Sequence, residues 1–183
     1  MRILGIAGSV RRGSHNRKLL RAAGDVLPPG VELVEWDGLA SLPIFDQDLE
    51  LDPPASVRDL LDAIDDADAL LIATPEYNAS LPGGLKNALD WASRPFPDNV
   101  LRHKPSAVVG SSTGLFGAVW AQAEVRKVLK ASGGDVVESE LPVAMADSAF
   151  TDDGSLADPE LTARLADVLA DLAREVMAPA EAA

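Results

Sequence analysis

The chain contains no cysteine. Disulfides, thiolate catalysis and zinc sites built on cysteine are therefore excluded, and a cytoplasmic location is the expected one. Histidine is almost as scarce: His15 and His103 are the only two. No serine stands in a G-x-S-x-G elbow, no G-x-x-x-x-G-K-[ST] loop occurs, and no carboxylate pair stands out. Little in the residues points to catalysis by protein side chains, and no metal site is expected. No apolar run approaches the roughly 20 residues needed to cross a bilayer. Positive charge is short as well, 16 Lys and Arg against 29 Asp and Glu for a net charge of -13, which argues against nucleic acid and anionic membranes as partners. Met1-Arg2 leads straight into an apolar stretch, so no signal peptide is expected.

One region reverses the charge balance. No acid occurs before Asp25, whereas Arg2, Arg11, Arg12, Arg17, Lys18 and Arg21 all precede it. Within it lies Gly8-Ser9-Val10-Arg11-Arg12-Gly13-Ser14-His15-Asn16, behind the apolar residues Ile3, Leu4, Ile6 and Ala7. The spacing predicts a buried strand, a tight turn at Gly8 and a helix opening near Ser14 or His15. A helix start with unpaired N–H groups and hydroxyls around it binds phosphate. The plainer alternative is a strand–loop–helix with Ser14 as N-cap and the basic residues in solvent. The glycine spacing departs from the G-x-G-x-x-G dinucleotide fingerprint, although Glu35 or Asp37 could mimic its ribose-binding acid.

The remaining chain alternates strand and helix. Leu19, Leu20, Ala23 and Leu27 have helical spacing. Val31 to Trp36 alternates apolar and acidic residues, as an edge-side strand does. Leu42 to Asp48 is an irregular loop carrying Ile44 and Phe45. Ser56 to Ala67 is an amphipathic helix with Ser56 as a candidate N-cap. Ala69 to Ala73 is an uncharged run fit for a central parallel strand. Thr74-Pro75-Glu76-Tyr77-Asn78 follows, then a helix through Leu85, Ala88, Leu89 and Trp91. Ser106 to Val109 is a fourth strand, trailed by the small residues Gly110 to Gly117 and a helix over Val119 to Ala131. Asp135 to Val137 is a short fifth strand. Asp158-Pro159-Glu160 opens a last helix, running to about Met177. These elements make one α/β domain over 1–178, with 179–183 a frayed tail. The fold class is a flavodoxin-like doubly wound sheet of five parallel strands, in which loops at the carboxyl edge bind the ligand.

Tyr77, the only tyrosine, stands at that edge, where it can border an aromatic ring or simply pack on its turn. Glu76 and Asn78 offer hydrogen bonds to a heterocycle edge. Trp91 and Trp120 are expected in the core. His15 reads as a surface loop histidine, with a phosphate contact as the alternative. Asp46 and Asp48 are explained by loop polarity or by a cation. The pattern suits a protein that binds an organic cofactor and lets it carry the chemistry.

Together, Gly8-Ser9-Val10-Arg11-Arg12-Gly13-Ser14-His15-Asn16 and Thr74-Pro75-Glu76-Tyr77-Asn78, with Ser80 and Pro82-Gly83-Gly84-Leu85-Lys86-Asn87-Ala88-Leu89-Asp90-Trp91, resemble the NAD(P)H-dependent FMN reductase family. Its members include quinone, azo-dye and chromate reductases. The first stretch is similar to the family's G-S-x-R-x-x-S-x-N, and only Ala118, where the family often has a further glycine, departs from its pattern. The resemblance implies non-covalent FMN, with Ser9, Arg11, Ser14 and Asn16 around the phosphate. It implies that Pro75, Glu76, Tyr77 and Asn78 line the isoalloxazine, with Ser111 and the loop after it on another edge. It further implies ping-pong transfer of hydride from NADPH or NADH through flavin N5 to a small-molecule acceptor, with no catalytic side chain. N–H groups near the flavin pyrimidine would stabilise the reduced ring. A homodimer or homotetramer is implied, with Ile44-Phe45 and Arg94 to Phe96 as candidate contacts. A flavodoxin-type electron carrier and a nicotinamide-binding Rossmann protein are the alternatives.

Overall fold

In a computed structural model that describes residues 1–178, the apolar runs assemble into one sheet. β1 (Arg2–Ala7), β2 (Glu32–Trp36), β3 (Ala69–Thr74), β4 (Ser106–Ser111) and β5 (Val136–Val143) stand in the order β2-β1-β3-β4-β5. All four pairings are parallel. The three inner strands are buried almost throughout, which explains why they read as unbroken apolar runs instead of alternating ones. β2 lies at one edge, as its alternation implies.

α1 (His15–Asp25) and α5 (Pro159–Met177) cover one face; Leu19, Leu20, Leu165 and Leu169 join Ile3, Leu71 and Val109 in its core. α2 (Ala55–Asp65), α3 (Gly83–Ala92) and α4 (Val119–Ala131) cover the other, where Leu60, Leu85 and Val125 pack on Leu4, Ile72 and Val108. The chain leaves β1 outward to β2 and returns to β3 on β1's far side. The loops after β1 and β3 therefore part in opposite directions, and a crevice opens between them at the carboxyl edge.

Several expectations need correction. α2 begins at Ala55 with Pro54 at its N-cap, so Ser56 lies inside the helix. Proline at that position presets the entry angle and leaves no hydroxyl in the capping place. β5 is eight residues long, not three. Glu138, Glu140 and Pro142 disguise it, and an edge strand tolerates all three. Trp91 is buried, but Trp120 is 48% exposed, because the second position of α4 turns away from the sheet. The frayed-tail expectation for 179–183 lies outside the described residues.

The loop from Leu42 to Asp48 is tied to its own domain. Pro43 O accepts from Asn87 Nδ2 at 2.8 Å and from Trp91 Nε1 at 2.9 Å, and Phe45 N donates to Asn87 Oδ1 at 2.7 Å. Phe45 packs edge-on against Trp91, with centroids 5.0 Å apart. Ile44, by contrast, is 87% exposed. Asn87 and Trp91 thus serve the fold by clamping a long loop from one helix face.

Candidate functional site

The loop after β1 is shaped by its own residues. Gly8 N donates to Ala73 O at 2.8 Å, which pulls the loop onto β3. A Cβ on Gly8 would lie 3.0 Å from Leu85 Cδ2 and 3.1 Å from Pro75 Cδ, so glycine is needed for this close approach. Beyond the turn, Arg11 N donates to Ser9 Oγ at 3.4 Å, Ser14 N to Arg11 O at 3.1 Å and Arg11 Nη2 to Gly13 O at 2.8 Å. Ser14 is the N-cap of α1, its Oγ accepting from Arg17 N at 3.3 Å. Each of the two serine hydroxyls accepts from the main chain and keeps its own hydrogen to donate. The N–H groups of His15 and Asn16 find no partner among the described residues, as befits the first turn of a helix. The result is a cluster of donors at the positive end of a helix dipole.

Asn16 is 2% exposed, and its amide is used inward. Its Oδ1 accepts from Ser111 N at 2.9 Å, and its Nδ2 donates to Ser111 O at 3.0 Å. The amide copies a strand neighbour for the last residue of β4 and joins the first loop to the third. One Nδ2 hydrogen remains free. Ser111 itself is 1% exposed, and its Oγ has no partner among the described residues.

The loop after β3 closes through a tight turn. Tyr77 N donates to Ser80 O at 3.0 Å and Ser80 N to Tyr77 O at 3.2 Å. Asn78 and Ala79 between them both have positive φ, 54° and 59°. That double left-handed turn favours Asn-Gly; Ala79 carries a Cβ there at a cost of about 1 kcal/mol. The Asn78 and Ala79 N–H groups are also without a partner among the described residues. Tyr77 is half exposed, with its hydroxyl 3.5 Å from Ser9 Oγ. Glu76 turns to α4. Its Oε2 accepts from Trp120 N at 3.1 Å and Ala121 N at 3.3 Å, which caps a helix whose own N-cap is Ala118.

Ala118 stands where a further glycine was the pattern, and it takes the left-handed conformation with φ 61°. Gly117 before it has φ 57°, and a Cβ there would lie 2.6 Å from Pro142 C and Val143 N. The loop's shape is thus kept despite the alanine. Its first residues are fixed by Ser112 N to Val143 O at 3.1 Å and Ala146 N to Ser112 O at 3.0 Å.

The three loops enclose a cavity of about 240 Å³. The first loop and α1 contribute Ser9, Arg11 and Ser14 to Asn16 to its lining, the second loop Pro75 to Tyr77, and the third Ser111 to Thr113. Eight of the nine residues singled out from the sequence meet there; Asn78 is on the adjoining turn, outside the lining. His15 is no surface residue. Its side chain is only 14% exposed, Nε2 lies 3.1 Å from Asp147 Oδ1, and the ring stacks on Phe150 with centroids 6.0 Å apart. Glu35, the candidate ribose-binding acid, is paired instead with Arg17, its Oε1 2.8 Å from Nε. Two residues without a sequence signal matter to the site. One is Asp147, reaching His15 from 132 positions away. The other is Glu124 on α4, whose Oε2 accepts from Ser80 Oγ and from Leu81 N. Those two donors, the hydroxyl first, hold the Glu124 carboxyl below its ordinary value of 4.5, with Lys127 adding to the effect.

Comparison with known proteins agrees with this geometry. Residues 1–148 match the family described as NADPH-dependent FMN reductase. The chain is 40% identical over 160 residues to an NAD(P)H-dependent FMN reductase of Pseudomonas aeruginosa, covering 86% of this chain and 85% of that one. It is 43% identical over 128 residues to a 2-hydroxy-1,4-benzoquinone reductase of a Burkholderia species, covering 70% and 69%. Among solved structures, the flavoenzyme NAD(P)H:(acceptor) oxidoreductase FerB of Paracoccus denitrificans superposes with a TM-score of 0.84 at 34% identity, over 96% of this chain and 97% of that one. A sheet of flavodoxin-like order, a donor-rich first loop and a family match across most of the chain lead to one conclusion: this protein belongs to the NADPH-dependent FMN reductase family.

Proposed function

We propose that the cavity at the carboxyl edge holds FMN and that the chain uses it to reduce quinone-like or similar small acceptors with NADPH or NADH. The observation that carries this reading is the make-up of the cavity's lining, which we read as two ends. One end presents O–H and N–H donors from Ser9, Ser14 and the first turn of α1 beside Arg11, which is the chemistry a phosphate needs. The other is walled by Pro75 and Tyr77 and by small residues from Ser111 onward, which suits a flat ring. The unpartnered Ser111 Oγ and the free N–H groups of Asn78 and Ala79 are suited to the polar edges of such a ring.

In this reading each residue positions or neutralises. Ser9 and Ser14 donate their hydroxyl hydrogens to the phosphate, and Arg11 offsets its charge. Asn16 completes the cradle from beneath by fixing it to Ser111. Tyr77 borders the ring, and Glu76 keeps its charge turned toward α4. Bound FMN supplies the two-electron redox chemistry, so no side chain serves as acid or base. The benzoquinone and quinone acceptors of related enzymes support the acceptor class.

The reading extends to a homodimer or homotetramer. Ile44, Phe96, Leu115, Phe116 and Trp120 are exposed, and Phe116 packs edge-on against Trp120; apolar side chains of this kind are what such assemblies cover. A cytoplasmic location follows from the need for NAD(P)H; among the described residues no helix is long and apolar enough to cross a membrane. The test is a visible spectrum of the purified protein with added FMN, before and after anaerobic NADPH. A bound-flavin spectrum that bleaches is the expected result. A bound flavin that stays yellow with both NADPH and NADH would instead fit an electron carrier.

A further inference from the structure

The Tyr77 turn is poorly supported by its own residues. Ala79 is left-handed, Tyr77 is half exposed, and the segment has only two main-chain bonds closing on itself. Its support comes from α4, on both sides of the turn. Before it, Glu76 caps the start of α4 through Trp120 N and Ala121 N. After it, Glu124, one turn further along α4, takes Ser80 Oγ and Leu81 N on the single atom Oε2. A loop carboxylate grips the helix, and a helix carboxylate grips the loop. The residues between these grips include Tyr77, whose hydroxyl reaches Ser9 in the opposite loop.

From this we infer that Glu124 is a positioning residue: through Ser80 and Leu81 it sets where Tyr77 stands at the mouth of the cavity, and so governs how tightly the ring end of the flavin and the acceptor are held. The inference rests on the reading that Tyr77 borders the flavin. Glu124 itself is not part of the cavity lining and touches no reacting atom. Its action must therefore fall first on the ring end of the ligand, while the phosphate end keeps the bonds local to the first loop.

That separation provides the experiment. FMN and riboflavin binding are measured by fluorescence quenching for the wild type, Glu124→Ala, Glu124→Gln, Ser80→Ala and the Ser80→Ala/Glu124→Ala pair. NADPH oxidation with benzoquinone is followed alongside. Glu124→Ala is expected to weaken FMN and riboflavin by the same factor, about tenfold, as removal of one charge-assisted bond gives. It is also expected to raise KM for benzoquinone severalfold while kcat stays within about twofold, as weaker positioning of a bound partner does. Glu124→Gln retains an oxygen that accepts both bonds and is expected to restore near-wild-type values. Ser80→Ala is expected to act in the same direction as Glu124→Ala, and the double variant to fall short of the sum of the two. Wild-type flavin affinities and an unchanged KM in Glu124→Ala would overturn the inference. So would equal damage in Glu124→Gln, or strict additivity in the double variant. If Glu124→Ala fails to fold, Ser80→Ala and Glu124→Gln carry the same test. A wild-type protein that binds neither flavin overturns the cofactor reading itself.

Discussion

The loop after β1 and the loop after β3 face each other across one cavity, yet they are built in opposite ways. The first is closed by bonds between near neighbours: Arg11 to Ser9, Arg11 to Gly13, Ser14 to Arg11 and Arg17 to Ser14. The second is held by α4, with Glu76 reaching 44 and 45 positions ahead and Glu124 reaching 44 and 43 back. Local closure costs little chain entropy, so the first loop, anchored at its base by Gly8 N to Ala73 O, can present a fixed array of donors. Long-range support makes the second depend on how a helix sits. Under the proposed function, the first arrangement suits a cofactor phosphate, and the second suits a ring end that admits successive partners.

The contrast between the loops is broken most severely by removing the local array. Ser9→Ala together with Arg11→Ala should weaken FMN by about 1.5–3 kcal/mol for each charge-assisted hydrogen bond removed, while riboflavin, which lacks the phosphate, should lose much less. Calorimetric titration with both ligands checks this, and unchanged FMN affinity would sink the phosphate assignment. Next in size is the tie between the first and third loops. Asn16→Leu strands the buried N–H and C=O of Ser111, at about 1–3 kcal/mol for each group. The midpoint of thermal unfolding should then fall by about 2–4 °C per kcal/mol for a chain of this size.

Smaller effects sharpen the second loop's dependence on α4. Glu76→Ala should cost about 0.5–2 kcal/mol, the usual penalty for removing a helix cap, and hydrogen exchange at the Trp120 and Ala121 amides should quicken. The smallest effect is on pH dependence. Ser80 Oγ, Leu81 N and Lys127 hold the Glu124 carboxyl below 4.5. A carboxyl lowered on folding contributes stability that is complete above its unfolded value and is lost as pH falls through its folded value. The stability difference between wild type and Glu124→Ala should therefore be constant above about pH 5 and shrink below about pH 4.5. Urea unfolding across that range reads it. A difference that instead grows on acidification would mean that the carboxylate carries no such bond.

The same contrast explains what was legible in the chain. The inner strands announced themselves because burial on both faces leaves an uninterrupted apolar run. α5 was clear from Asp158-Pro159-Glu160, where Asp158 indeed accepts from Glu160 N at 2.8 Å. β5 reads as shorter than it is because an edge strand may carry glutamates and a proline. Trp120 reads as core because aromatic content alone does not say which side of a helix meets the sheet. At the site, Ser14 showed its role by position, since an N-cap is a local device. Asn16 did not, because its partner is 95 positions away. Glu124 had no signal, being one acid among 29.

By itself, then, the sequence determined the alternation of strands and helices, the polarity of the sheet and the basic, hydroxyl-bearing start of α1, because periodicity, caps and turns act over a few residues. Only the tertiary structure decided that Asn16 would serve Ser111, that Glu76 would turn its carboxylate to α4 and that Glu124 would secure the turn bearing Tyr77. Each of those bonds joins groups dozens of residues apart, and their partners are settled by how the helices pack on the sheet rather than by any neighbour along the chain.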